Sequence, residues 1–254
     1  MVPFLSFQNV SLAFHTEQQE TKVLSDLSFE IHQGEFVAIV GPSGCGKSTI
    51  LNLISGLLKP EQGQILLNGI PIQNTSDTIG YMLQKDHLFQ WRSILKNVML
   101  GPEITHKKTP EKLSYAKQLL KDYGLAEFMH SRPSQLSGGM RQRAALIRTL
   151  VMEPSLLLLD EPFSALDYQT RLNVSDDIWK IIKDHSITAI LVTHDISEAI
   201  SMADRVLILT NRPSYVHLDL PIQLSCEDRT PFTSRNAPEF REYFNQIWKE
   251  LNHS

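Results

Sequence analysis

Nine residues constrain this chain more than any others: Gly41-Pro42-Ser43-Gly44-Cys45-Gly46-Lys47-Ser48-Thr49 stands between an unbroken apolar run at 36–40 and a segment of helical spacing at 47–58. A short continuous apolar run is expected of a parallel strand covered on both faces. Glycines at 41, 44 and 46 let the backbone curl with positive φ, so that successive N–H groups converge on one point. That point lies at a helix N-terminus, where unpaired donors and the helix dipole favour an anion. Lys47 adds a positive charge, and two glycines flanking four residues before Lys-Ser is the spacing of a triphosphate-binding loop. Ser48 supplies a hard oxygen of the kind Mg2+ prefers when it bridges phosphates. Cys45 offers one other chemistry, that of a nucleophilic thiol, but no His or Asn stands near it in sequence to activate it.

The remaining pattern arranges itself around that loop. Residues 4–14 and 23–31 read as strands separated by a polar loop at 15–21, and 64–67 as a strand entering an Asn68-Gly69 turn. Another short strand is expected at 79–83. From 85 to 154 helical spacing takes over, as in Leu113, Ala116, Leu119, Leu120 and Tyr123. Beyond Pro154, strands at 156–159, 187–192 and 206–209 alternate with helices at 168–183 and 197–202. That is the rhythm of a parallel sheet with right-handed crossovers. An amphipathic helix closes the pattern at about 238–251. The expected boundaries are a nucleotide-binding core at 1–84 and 155–220, a helical subdomain at 85–154 and a helical tail at 221–254.

Composition excludes several classes of partner. A net charge of −4 with no basic stripe argues against nucleic acid. Two cysteines, Cys45 and Cys226, suit a reducing compartment better than a disulfide-stapled fold. No window approaches 18 uninterrupted apolar residues, and the first residues lack a signal-peptide pattern. A soluble protein is expected, with peripheral attachment to a membrane complex left open.

A second cluster of chemistry stands at strand ends. Leu156-Leu157-Leu158-Leu159-Asp160-Glu161 is a buried strand ending in two acids. Adjacent side chains on a strand face opposite ways, so Asp160 is placed to hold Mg2+ and Glu161 to polarise an attacking water. His194 follows the strand at 187–192 and leaves the sheet at the same edge, where ligands gather. Gln84, just past 79–83, is suited to Mg2+ or to positioning water.

Leu136-Ser137-Gly138-Gly139-Met140 supplies a second anion cradle, with Ser137 as a natural N-cap and two glycines baring N–H groups at a helix start. With this stretch in place, the set resembles an ATP-binding subunit of an ABC transporter. The matches are the Walker A loop 41–49, Gln84 as Q-loop, the signature 136–140, the Walker B strand 156–160 with Glu161, Ser164-Ala165-Leu166-Asp167 as D-loop and His194 as H-loop. Met140 departs from the commoner Gln at the end of the signature. The implied fold is α/β: a P-loop NTPase (RecA-like) mostly parallel sheet core, with an N-terminal antiparallel β subdomain and an inserted α-helical subdomain.

The resemblance further implies a head-to-tail dimer of two copies. ATP on the loop of one meets Ser137, Gly138 and Gly139 of the other, Asp167 links the two sites, and Glu161 is the catalytic base. The family's adenine-stacking aromatic is matched by Phe14, or alternatively by His15. The stretches 84–92 and 160–163 are similar to the nitrate, sulfonate and taurine importer branch, which includes importers of pyrimidine-type precursors. Transmembrane permease subunits, and indirectly a solute-binding protein, are then the expected partners, at the cytoplasmic face of a membrane. Leu88, Phe89 and Trp91 are apolar residues suited to receive a permease segment. A soluble repair or translation ATPase is the alternative, but it usually carries a long coiled coil or a second cassette.

Overall fold

The computed structural model describes residues 2–16 and 19–253. Glu17 and Gln18, within the polar loop expected at 15–21, lie outside the described residues. A long hairpin, β1 (Leu5–His15) and β2 (Glu20–Ile31), leads into β3 (Phe36–Val40) and α1 (Lys47–Ile54). A second hairpin, β4 (Gln62–Leu67) and β5 (Ile70–Pro71), precedes β6 (Ile79–Met82). Helices α2 (Ile94–Val98), α3 (Leu100–Ile104), α4 (Pro110–Asp122) and α5 (Gly138–Leu150) follow. The alternation then resumes with β7 (Leu156–Asp160), α6 (Tyr168–Asp184), β8 (Thr188–Val192), α7 (Ile196–Met202), β9 (Arg205–Leu209) and β10 (Val216–Pro221). Helices α8 (Pro231–Ser234) and α9 (Phe240–His253) complete the described chain.

These strands form a four-stranded antiparallel sheet, ordered β2-β1-β4-β5, and a six-stranded sheet, ordered β10-β9-β3-β8-β7-β6. All pairings from β9 to β6 are parallel, and β10 alone runs antiparallel at the edge. The apolar runs are explained by cover on both faces. Val37 and Ile39 of β3, with Leu156 and Leu158 of β7, face a core shared with α1 and the antiparallel sheet. Phe36, Ala38, Leu157 and Leu159 face the helices.

The structure corrects several expected boundaries. Helix α1 ends at Ile54 rather than 58, because Gly56 turns with φ 74 and the N–H groups of Leu57 and Leu58 both return to the Asn52 carbonyl. A Cβ at Gly56 would meet the Asn74 backbone at 2.5 Å. The three-residue gap between Leu24 and Leu27 is a bulge: Asp26 takes positive φ there and the β1–β2 register shifts between Val10 and Leu12, next to a second shift between Phe7 and Val10 where Asn9 also takes positive φ. Strand β10 lies in a stretch given no element from sequence, and α8 lies in the expected helical tail ahead of the helix placed at about 238–251. The alternation of Val216, Leu218 and Leu220, each half-buried on one face, was the available signal for β10.

Two packing features hold the outer elements. Helix α9 sets Ile247 into the helical-side core, where it is fully buried, and packs against α7 and β9. At the β8–α7 turn, buried Glu198 accepts from the Thr193 hydroxyl at 2.7 Å and faces Arg171 at 3.7 Å. Asp195 caps α7 by accepting from the N–H groups of Ser197 and Glu198. Burial pushes the Glu198 carboxyl above its ordinary value, against the opposing pull of Thr193 and Arg171.

Ile247→Ala is expected to cost about 2–5 kcal/mol, the range for truncating a fully buried aliphatic side chain, measured by urea unfolding. A cost below about 1 kcal/mol would show that α9 is only loosely docked. Glu198 yields a pH-dependent expectation. Because its folded value is raised, the native state holds a proton that the unfolded chain has already released, so this group's contribution falls as pH rises above about 4.5. Glu198→Gln removes that slope, and the stability of the variant relative to the parent should grow from pH 4.5 toward neutrality. A pH-independent difference would contradict the burial assignment.

Candidate functional site

The parallel strands β3, β6, β7 and β8 deliver four polar turns to one sheet edge, at their C-terminal ends. After β3 the glycine loop curls as its composition requires. Gly44 has φ 80 and Gly46 has φ 112, and Gly46 is the N-cap of α1. The first N–H groups of that helix have no partner within it, so they face whatever stands before the loop. A Cβ on Gly41 would sit 2.8 Å from the Cys45 sulfur and 3.0 Å from the Leu209 Cβ, so only glycine fits that start. Lys47 is buried, and its Nζ folds back to donate to the carbonyls of Gly41 at 2.8 Å and Pro42 at 3.0 Å.

Residues 43, 44 and 46–49 line a cavity of about 280 Å³ together with Glu161 and Arg212. Cys45 is buried beneath it, with its N–H donated to the Pro42 carbonyl at 3.2 Å. Burial pushes its thiol up, opposing Lys47 and Arg212, so the nucleophile alternative finds no support in its surroundings.

The two acids after β7 diverge. Asp160 faces α1, where the Ser48 hydroxyl donates to its Oδ1 at 3.3 Å and the Tyr81 hydroxyl approaches its Oδ2 at 3.5 Å. Burial raises the Asp160 carboxyl, and burial together with Asp160 pushes the Tyr81 hydroxyl well above its usual range. Glu161 leaves the strand with φ 45 and turns to the other side. There Gln84 Nε2 donates to its carboxylate at 3.3 Å, and His194 Nδ1 stands 3.2 Å from the same Oε2. Gln84 Nε2 also reaches the Ser164 hydroxyl at 3.3 Å. One carboxylate thus joins the ends of β6, β7 and β8.

The other residues singled out from sequence stand apart from this cavity. Ser137 caps α5 by accepting from the Met140 N–H. Gly138 and Gly139 press onto neighbouring elements: a Cβ at 138 would meet Leu166 at 3.1 Å, and one at 139 would meet Val174 at 2.9 Å and Thr170 at 3.0 Å. Asp167 caps α6, and hydrogen bonds from Thr170 hold its carboxyl below the usual value. Phe14 is an exposed aromatic near the end of β1.

Three structural features around the site were not read from sequence. Arg212 lines the cavity. Arg171 donates to the Leu166 carbonyl at 3.1 Å while its guanidinium faces Asp195 at 3.4 Å, tying the turn before α6 to the one after His194. Asn97, fully buried, clamps the turn 89–93: it accepts from the Phe89 N–H at 2.7 Å and donates to the carbonyls of Phe89, Arg92 and Ser93. That clamp presents Phe89 and Trp91 outward, stacked at 4.7 Å, whereas Leu88 is buried and packs inward, contrary to its expected outward role. Only a side chain with both a carbonyl and an amide group satisfies such a turn, and that was the signal.

Comparison with known proteins accords with this geometry. The family model described as ABC transporter matches residues 24–164. An uncharacterized ABC transporter ATP-binding protein of Bacillus subtilis (strain 168), YtlC, is 44% identical over 98% of this chain and 96% of its own length. The nitrate import ATP-binding protein NrtD of Synechococcus elongatus is 39% identical, over 83% of this chain and 78% of its own. The fold also matches a dimeric, post-hydrolysis structure of the ATP-binding cassette MJ0796 bound to ADP and Pi. That match has a TM-score of 0.73 and 30% identity, and covers 86% of this chain and 99% of that one. With a glycine loop, a paired-acid strand end and a capped Ser-Gly-Gly helix on one such scaffold, this chain belongs to the ABC transporter ATP-binding family and is an ATPase of that family.

Proposed function

We propose that this ATPase drives an importer of small solutes of the nitrate, sulfonate and taurine type, as one of two copies in a head-to-tail dimer attached to transmembrane permease subunits. The observation that carries the catalytic part is the Glu161 carboxylate, held by Gln84 and His194 at the rim of the phosphate-loop cavity. A carboxylate so held is aimed at the water that attacks the terminal phosphate, and His194 is placed to hydrogen-bond the phosphate as charge builds. Gly41 to Thr49 cradle the triphosphate. Lys47 exchanges its loop carbonyls for β- and γ-phosphate oxygens, a cation moving from neutral acceptors to charged ones.

Ser48 and Asp160 offer two hard oxygens within hydrogen-bond reach of each other, and Gln84, held here on Glu161, would be a third donor. That donor set fits Mg2+, which would be held by Ser48 and Asp160 and would supply charge neutralisation at the phosphates. Phe14 is free to stack on adenine. Ser137, Gly138 and Gly139 of the second copy close over the nucleotide from a helix start, and Asp167 lies between the two sites. In this scheme the helical subdomain 85–154 moves against the core as nucleotide binds.

Membrane attachment is inferred from the family, since among the described residues no helix is long and apolar enough to cross a bilayer. The permease docks on the outward pair Phe89 and Trp91. A cavity of about 570 Å³ opens there between Trp91, Leu95, Met99 and Leu113, with Arg92 and Lys96 at its border. A solute-binding protein sets which solute arrives, and the net charge of −4 argues against a nucleic-acid partner.

Glu161→Gln is expected to lower ATP turnover at least 100-fold, the scale of losing a general base, while ATP affinity holds and the ATP-loaded chain sediments as a dimer. Turnover near the parent value would remove Glu161 from that role. Trp91→Ala should abolish ATPase stimulation by the reconstituted permease complex and leave the basal rate of the isolated chain unchanged. Undiminished stimulation would place the docking surface elsewhere.

A further inference from the structure

The cavity before the glycine loop has a cation that belongs to none of the recognised motifs. Lys47 is buried and engaged with two loop carbonyls. Arg212 lies at the exposed rim instead, after β9, and lines the cavity together with Ser43, Gly44 and the start of α1. Its Nε donates to the Gly44 carbonyl, and a Cβ at Gly44 would lie 3.2 Å from its terminal nitrogen. Two residues on, the buried Ser214 hydroxyl donates to the carbonyl of Cys45 at 2.7 Å. Ser214 is itself fixed by backbone bonds to the β2 strand, from its N–H to Val23 and from Ser25 to its carbonyl.

The turn 212–214 therefore grips two consecutive loop carbonyls. In a phosphate nest the carbonyls must point outward for the intervening N–H groups to point in. Holding Gly44 and Cys45 from behind keeps that polarity in place. The electrostatics require more than Lys47 alone. A triphosphate brings several negative charges to a cavity whose wall already includes Glu161, with Asp160 close by. A guanidinium has five donors in a rigid fork, so one can anchor the loop while others meet phosphate oxygens.

Resting on the assignment of 41–49 as the nucleotide loop, we propose that Arg212 is a second phosphate-binding cation of the ATP site, one that anchors the loop through Gly44 and contacts the triphosphate through its remaining nitrogens. Its exposed position makes the contact sensitive to ionic strength, because exposed charges are screened over about 10 Å at 0.1 M salt. Loss of a mere loop anchor has no such dependence.

The test is binding of a fluorescent ATP analogue to the full chain at low and high salt, for the parent, Arg212→Gln, Arg212→Lys and Lys47→Ala. Arg212→Gln is expected to weaken binding about tenfold at low salt, with the deficit shrinking as salt rises. Arg212→Lys, which keeps the charge, is expected to recover most of the loss. Unchanged affinity in Arg212→Gln, or equal losses in the Gln and Lys variants at both salt levels, would overturn the inference and leave Arg212 as a loop anchor at most. If Arg212→Gln melts below the parent without nucleotide, Arg212→Lys decides: parent-like affinity and salt response support the phosphate contact, and a salt-independent loss refutes it. Lys47→Ala separates the two levels of assignment. A large loss there beside a neutral Arg212→Gln sinks only the Arg212 role, whereas no loss there removes the nucleotide loop itself.

Discussion

Five parallel strands buried on both faces leave the chain one place to put its chemistry. Apolar cover from α1 and the antiparallel sheet on one side, and from the helices on the other, confines polar groups to the ends of β3, β7 and β8. Their C-terminal ends are the first positions where a backbone N–H, a carboxylate or an imidazole meets solvent. The order β3-β8-β7-β6 then sets the glycine loop, His194, Asp160 with Glu161, and Gln84 side by side. A site assembled this way inherits the rigidity of the sheet. Glu161 is the clearest instance: its N–H is held by the Val192 carbonyl at 2.8 Å while its side chain is shared by residues from the two flanking strand ends. Its φ of 45 is unusual for a non-glycine residue, and the neighbouring bonds over-determine it.

What could be read in advance followed from that same constraint. Runs such as Leu156–Asp160 announce themselves because nothing polar interrupts them, and a loop whose glycines are spaced for a phosphate nest has few other uses. What escaped reading depends on contacts distant in sequence. The end of α1 is set by Gly56 meeting Asn74, and neither residue alone marks a boundary. The bulge in the first hairpin needs Asn9 and Asp26 opposite each other, where the Asn9 amide donates to Asp26 at 2.6 Å. Arg212 stands 168 residues from the carbonyl it holds. Its position after an apolar strand gave it the look of a polar loop residue. Asn97 was readable in principle, since a fully buried amide has to satisfy several hydrogen bonds, but its burial is itself a tertiary fact.

Within one chain, α6 connects the parts of the site that the sheet does not. Asp167 caps its start, which ties the turn at 164–167 to the helix. One turn in, Arg171 reaches back to the Leu166 carbonyl and across to Asp195, directly after His194. Thr170 and Val174 receive Gly139 so closely that no larger residue fits without displacement, which seats the signature helix α5 on the same rod. Packed interiors leave little slack, so α5, α6, Arg171 and the turn after His194 form one contiguous set of contacts. The helix start at Ser137 to Gly139 and the turn after His194 are thereby joined through α6 by direct contact.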